Sequence, residues 1–516
     1  MVANSSTPPE AAKTAYAQPN LRNKFRIFLI TNVLVILLVI TALALNPYAQ
    51  LGTGVYVIIL FILCSLPLLF MTDYRGKATL MLMYMAYYFA AFGLLDLSNL
   101  VSGIPVPPRS VSIFFTGGEV VILISALAFL AGYALAAAFI SKRSTGIMKK
   151  DWSPGAITLA GVIAWIIGFY TNALVQLGVG DQFTLTKYNL GAFGGFIVLA
   201  RILGPVGFLM LAYSYLTTGK KSTLIVLIVM MLGDFFLGFV GDTKEMAIRD
   251  PLLFLFSYVI LRERIPVVMT VIFVVAAGLA FNFFAAYRDE LGTRHQSRIS
   301  GLSNLDSKLD NILSQDKSLA KRFSEGLEYF STRITLKQNV EILVARLGKD
   351  REFQEGYTLK PLLFAFIPRF ILPNKQDTSD VGRQFNREFF HYGSRDTYIS
   401  VSTVGELYWN YGYTGIIVGM ICNGLLLAYI AGLTLGEKNN LPRYLLLLLT
   451  VYLLVLRSES SIAMTYTFWM RTVVLLFFIH MIMPKKQGIS TKIPPPSVTR
   501  TPMLVSRAHF TKPGVK

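Results

Sequence analysis

Charge is what this chain has least of. Of its 516 residues only 15% are charged, while 54% are hydrophobic. A soluble chain of this length carries far more charge on its surface, so a water-soluble globular fold is excluded. Cysteine is nearly absent as well. The two present, Cys64 and Cys422, sit inside apolar runs with no CxxC or metal-ligand spacing. They count as small hydrophobes, which removes redox chemistry from consideration. No HExxH, DxD, GxSxG or Walker motif occurs, so a two-metal or ATP-driven mechanism has no support and no metal or cofactor is implied. An internal repeat is missing too, where a transporter built on inverted halves would show matched broken helices.

What is present is a series of apolar runs about 20 residues long, the length that crosses a hydrocarbon core of about 30 Å. Barrel strands alternate apolar and polar residues over about 10 positions, and these runs do not. The expected class is an all-α polytopic membrane protein. Helices are expected near 25–45, 53–71, 78–96, 119–140, 156–177, 192–216, 223–240, 244–261, 265–285, 413–434, 441–456 and 463–482. The first run is longer than a signal-peptide core, so it reads as a retained helix. About twelve crossings put both termini on one side. Arg75 and Lys77, Lys142 and Arg143, Lys149 and Lys150, Lys220 and Lys221, Arg262 and Arg264, Lys438 and Arg443, and Lys485 and Lys486 all fall on that side, which the positive-inside rule makes cytoplasmic. The net charge of +19 is therefore topological, and a nucleic-acid partner is not expected.

This division gives a polar cytoplasmic tail over 1–24, nine helices over 25–285 and one large outer loop over 286–412. Three helices over 413–482 and a second polar tail over 483–516 complete it. The loop exceeds the usual connection length, which marks it as functional or separately folded. Within it, Leu319, Phe323, Leu327, Phe330 and Ile334 recur at helical spacing, so 318–348 reads as an amphipathic helix or helix pair. The apolar stretch Leu359–Leu372 holds Pro361 and Pro368 and is too short to span.

The stretch around which the loop is organised runs from Pro361 to Gly415. It places Arg369, Lys375, Arg383, Arg387 and Arg395 beside an apolar, proline-bracketed piece and an aromatic belt of Tyr408, Trp409, Tyr411 and Tyr413. Guanidinium groups bind phosphate bidentately, and a pyrophosphate takes several of them. The apolar neighbour suits a lipid-borne anion. His391, Asp396 and Glu406 are the acid–base groups within reach, and any of them suits a general base.

Charges inside the apolar runs default to pairing or function. Arg201 and Asp234 reach similar depths, which predicts an ion pair between adjacent helices, with a substrate-facing Arg201 as the other reading. Lys244 and Arg249 stand at the start of a helix, where free N–H groups also favour an anion, and Asp242, Glu245 and Asp250 stand ready to neutralise them. Arg457, Glu459 and Arg471 lie at or below the outer turn between the last two helices.

The run IPRFILPNKQDTSDVGRQF (367–385), followed by ISVSTVGELYWNYGYTGIIVGMICNGLLLAYIAG (399–432), resembles the late outer loop of Wzy-type oligosaccharide repeat-unit polymerases, relatives of the O-antigen ligases. The second signature is Tyr408, Asn410, Gly412 and Gly415, and the basic turn at Lys244 and Arg249 before an apolar helix is similar as well. The resemblance implies a GT-C-like, multi-pass glycosyltransferase of the bacterial plasma membrane. It would polymerise undecaprenyl-pyrophosphate-linked oligosaccharides at the outer face, in contact with membrane lipid and with a chain-length regulator as a further partner. It implies pyrophosphate binding by Arg249, Lys244, Arg369, Lys375, Arg383, Arg387, Arg395, Arg201 and Arg471, with Glu406 or His391 as base. A ligase-like transferase, a polysaccharide or lipid transporter and a non-enzymatic scaffold are the alternatives.

Overall fold

The computed structural model describes residues 21–46, 50–70, 77–102, 115–139, 148, 152–176, 194–240, 244–262, 266–291, 318–365, 367, 371–372, 376–378, 380–391, 397–434 and 440–484. Among them the fold is nearly all helix, and extended pairing is confined to isolated bridges such as Leu347 with Arg351. The helices are α1 (Leu21–Leu45), α2 (Leu51–Ser65), α3 (Pro67–Phe70), α4 (Lys77–Phe92), α5 (Leu94–Ser102), α6 (Gly117–Phe139), α7 (Pro154–Gln176), α8 (Gly194–Thr218) and α9 (Lys221–Val240). They continue with α10 (Lys244–Arg262), α11 (Val267–Leu291), α12 (Leu319–Ile334), α13 (Lys337–Arg346), α14 (Lys360–Leu363), α15 (Asp380–Phe385), α16 (Thr403–Thr434), α17 (Leu441–Thr450) and α18 (Ile462–Ile482).

Eight of these are long and apolar enough to cross a membrane, or nine when α4 and α5, bent by 50° at their junction, count as one span. A helix coincides with every apolar run of the sequence, but not all meet that test alone. α10 carries Glu245, Arg249 and Asp250 in its first two turns, and α17 ends after ten residues in a π-helical segment, Val451–Leu456. The outer rows of α1, α7, α9 and α11 expose Leu, Ile, Val and Phe side chains, the surface that hydrocarbon covers.

Without a hydrophobic driving force between helices in lipid, close backbone approach at small residues binds them. The α6–α16 crossing shows this: a Cβ added at Gly132 would stand 2.3 Å from the Ile421 carbonyl oxygen, and one at Gly424 2.3 Å from that of Phe129. The same holds where α7 meets α8, with a Cβ at Gly168 falling 2.1 Å from the Gly204 nitrogen.

The segment 318–365 lies across one end of this bundle. α12 packs on α11 through Phe330 and Phe281, ring centroids 4.8 Å apart. α13 docks on α5 and α6. The Leu336 amide donates to the Ala91 carbonyl at 2.9 Å, and Lys337 Nζ donates to Asp96 Oδ2 and Glu119 Oε1, each at 2.5 Å. That ammonium also stands 4.3 Å from the centre of the Tyr56 ring.

α16 starts at Thr403, ten residues earlier than the expected 413, and breaks at Tyr411 and Gly412. Gly412 has φ 57° and ψ −139°, a conformation for glycine alone. The carbonyls of Trp409 and Asn410, freed by the break, accept from the amides of Gln354 and Glu355 at 2.9 and 3.2 Å. Asn410 donates to the Thr358 hydroxyl and the Glu406 carbonyl, both at 2.7 Å, and accepts from the Gly356 amide at 2.9 Å. The Tyr408, Asn410, Gly412, Gly415 signature is thus the joint at which residues 353–359 clamp a broken helix.

Candidate functional site

Polar side chains from five elements meet within the bundle. The deepest group is Arg249. Its Nη2 donates to Asp234 Oδ2 of α9 at 2.8 Å and its Nε to Asp250 Oδ1 at 2.7 Å. The Trp165 indole of α7 donates to the same Asp234 oxygen at 3.1 Å. This group is sealed, with side chains 4%, 2% and 0% exposed for Arg249, Asp234 and Asp250. Two expectations are thereby corrected. Asp234 pairs with Arg249 of α10 rather than with Arg201, whose Nε is turned to Asn172 of α7. Arg249, buried and already bound to two carboxylates, does not point outward to take a ligand itself.

One turn earlier on the same face of α10 is Glu245, since residues four apart share a helix face. Its Oε1 accepts from the Tyr452 hydroxyl and lies 3.4 Å from Arg457 Nε. Tyr452 sits in the π-helical segment Val451–Leu456, and such widened turns recur at functional sites. Arg457 follows that segment, with its guanidinium carbon 5.2 Å from the Phe468 ring centre. Arg201 of α8 joins the group: its charge interacts with Glu245, Tyr452, Arg457 and Arg249, while its Nε donates to Asn172 Oδ1 of α7 at 2.7 Å. Pro205 removes the amide that would otherwise bond the Arg201 carbonyl. Unlike the sealed pairs beneath, this upper layer meets water, with the Arg457 side chain 22% and the Glu245 side chain 46% exposed.

The turn 457–461 connects this layer to the start of α16. The amides of Ser402 and Thr403 donate to the carbonyls of Glu459 and Ser458 at 2.9 and 3.0 Å. Glu406 is completely buried, and its Oε2 accepts from the Ile462 amide at 2.5 Å. With Ser461 Oγ accepting from the Met464 amide at 3.3 Å, Glu406 caps the N-terminus of α18, where a carboxylate suits the helix dipole. Its Oε1 lacks a hydrogen bond. Beside it, burial pushes the Tyr398 phenol above its ordinary pKa, so Tyr398 stays neutral. A small cavity lined by Tyr84, Tyr87, Tyr88, Leu336, Thr403 and Ser458 separates this layer from α13.

Of the other expected site residues, those described are placed as follows. Arg383 is buried, its Nη1 3.1 Å from Asp380 Oδ1 one helical turn back. Arg387 points to solvent. His391 is exposed, with φ 57°, and its amide ends the π turn Asn386–Phe390 by donating to the Asn386 carbonyl at 2.7 Å. Arg471 is half-buried within α18. Arg369, Lys375 and Arg395 lie outside the described residues, as does the Lys244 side chain, although its backbone opens α10. Of the aromatic belt, Trp409 and Tyr408 are buried, and Tyr411 and Tyr413 face outward.

Sequence reasoning missed Tyr452 altogether and gave Glu245 only a neutralising role. Four-residue spacing between Glu245 and Arg249 was the available signal, but a tyrosine in an apolar run carries none. The Lys337 cluster was missed as well, because its members lie far apart in the chain. Among the described residues no group of His, Cys, Asp and Glu has the geometry to hold a metal ion. No family model, no curated protein and no solved structure matches this chain.

Proposed function

We propose that this protein is a membrane glycosyltransferase that joins undecaprenyl-pyrophosphate-linked oligosaccharide units at the outer face of the bacterial plasma membrane. It would use about twelve crossings and a GT-C-like arrangement, with both termini cytoplasmic. One observation carries the reading: Arg457 pairs with the half-exposed carboxylate of Glu245, and Arg201, from another helix, acts on the same carboxylate.

The chemistry of the transfer calls for such a place. The acceptor hydroxyl attacks the donor's anomeric carbon, the bond to the pyrophosphate oxygen breaks, and charge develops on the departing undecaprenyl pyrophosphate. Fixed cations at that oxygen lower the barrier without reorganising. Arg457 and Arg201 are the cations at the water-accessible layer. Arg249, locked to Asp234 and Asp250 and neutralised by them, holds the floor of the site. A polymerase and a ligase share this donor chemistry and differ in acceptor.

The test is purified full-length protein given lipid-linked repeat units in detergent, with product length measured. Arg457→Ala is expected to slow elongation about 100-fold or more, the loss usual for one electrostatic donor. Full elongation by this variant overturns the reading. Transfer to a lipid A-core acceptor without elongation makes the enzyme a ligase instead.

A further inference from the structure

The upper layer contains a carboxylate that pyrophosphate binding has to reckon with. Glu245 lies among the arginines that the proposed function assigns to the leaving group. Its contacts differ from those one turn below. Arg249 holds its carboxylates at 2.7 and 2.8 Å in a sealed setting, whereas Arg457 Nε stands 3.4 Å from Glu245. The Glu245 side chain is 46% exposed, and it occupies the first turn of α10. The carboxylate is held by the Tyr452 hydroxyl and by Arg457, and on a three-bond side chain at the helix start it can leave when a stronger anion takes over the same donors.

What it would leave behind is a ready seat. Tyr452 would present its hydroxyl, which donates to a phosphate oxygen as well as to a carboxylate. Arg457 would present its guanidinium, fixed over Phe468. Arg201 and Arg457 act on each other as like charges, so an anion between them is favoured. Glu459 offsets part of the Arg457 charge from the far side of the turn. A pyrophosphate brings more charge than one carboxylate and more acceptor atoms, so it suits both guanidinium groups at once.

We propose that Glu245 is a tethered anion that occupies the seat made by Tyr452, Arg457 and Arg201 and is displaced by the pyrophosphate of an incoming ligand. It follows that Glu245 weakens pyrophosphate binding and, by returning to the seat, helps expel the undecaprenyl pyrophosphate product. The carboxylate is not the general base: it stands where the leaving group goes, on the opposite side of the reacting carbon from the acceptor hydroxyl. The inference rests on the proposed function for the identity of the ligand, and on the geometry alone for the competition.

The experiment measures binding of inorganic pyrophosphate and of geranyl pyrophosphate to the full-length protein in detergent. The variants are Glu245→Gln, Glu245→Ala and Arg457→Ala, each also followed by thermal unfolding. If Glu245 fills the seat about nine-tenths of the time, removing its charge raises affinity about tenfold. Glu245→Gln and Glu245→Ala are both expected to show that gain, with Arg457→Ala losing binding. A gain with geranyl pyrophosphate alone assigns the seat to lipid-linked ligands, and a gain with both assigns it to pyrophosphate in general. Unchanged or weaker binding by folded Glu245→Gln overturns the inference while leaving the proposed function standing. Tighter binding by Glu245→Gln, in a protein whose wild type never elongates lipid-linked units, sinks the proposed function and leaves the tethered anion in place. Loss of pyrophosphate binding by every form, wild type included, overturns both.

Discussion

At the scale of single residues, burial separates the two carboxylates that matter most. Glu406 is entirely enclosed and already accepts from the Ile462 amide, so no acceptor sugar reaches it without opening the joint between α16 and α18. The geometry makes it a positioning residue. In Glu406→Gln the amide oxygen still accepts from Ile462, but the enclosed carboxyl at the helix terminus is replaced by an amide. The expected cost is about 1–2 kcal/mol of stability, read as a lower melting temperature, with elongation within about threefold of wild type. A hundredfold loss of elongation at an unchanged melting temperature would make Glu406 the base after all. His391 is exposed and stands at a chain reversal with positive φ, where asparagine and glycine are tolerated as well. His391→Asn is therefore expected to preserve the fold, and its elongation rate reports directly on proton transfer.

At the scale of elements, apolar length was enough to place helices, because it follows from the bilayer and does not depend on partners. The amphipathic periodicity of 318–348 carried through to α12 and α13 for the same reason. Other features were not legible. That α16 begins at Thr403 depends on the turn 457–461 receiving the Ser402 and Thr403 amides, a contact more than fifty residues distant. The partner of Asp234 was misread because depth in the membrane says nothing about which neighbour a side chain turns to. Of the arginines of 369–395 that are described, Arg383 pairs with Asp380 one turn back in a short helix and Arg387 faces solvent, neither of which density along the sequence reveals. Glycine positions are where element packing tests most cleanly. Gly168→Ala puts a Cβ into the Gly204 backbone, which no rotamer change relieves, and is expected to cost about 1–3 kcal/mol. Gly155, near the start of the same helix, has open space around its Cβ position. Gly155→Ala is the control, expected to leave thermal unfolding in detergent nearly unchanged.

At the scale of the whole molecule, the question is what keeps 318–365 seated on the bundle. The strongest single fastening is Lys337, which reaches from α13 between Asp96 of α5 and Glu119 of α6 and rests on Tyr56. Glu341, one turn on, adds its carboxylate at 4.0 Å, and Thr116 ties the start of α6 to the same group. Breaking a buried pair from one side costs more than the pair contributes, because the orphaned charges stay out of water. Lys337→Met leaves Asp96 and Glu119 facing each other without a cation, and about 3–5 kcal/mol of destabilisation is expected. Because α13 joins α12 to the Gln354–Asn410 clamp, that loss should appear locally first, as faster proteolysis within 318–365 before the bundle unfolds. Adding Asp96→Asn and Glu119→Gln to Lys337→Met removes the stranded charges and is expected to restore much of the stability. A triple variant as unstable as Lys337→Met would show that packing of α13, rather than its ammonium, seats the segment. Normal protease resistance in Lys337→Met itself would place the fastening at the Asn410 joint instead.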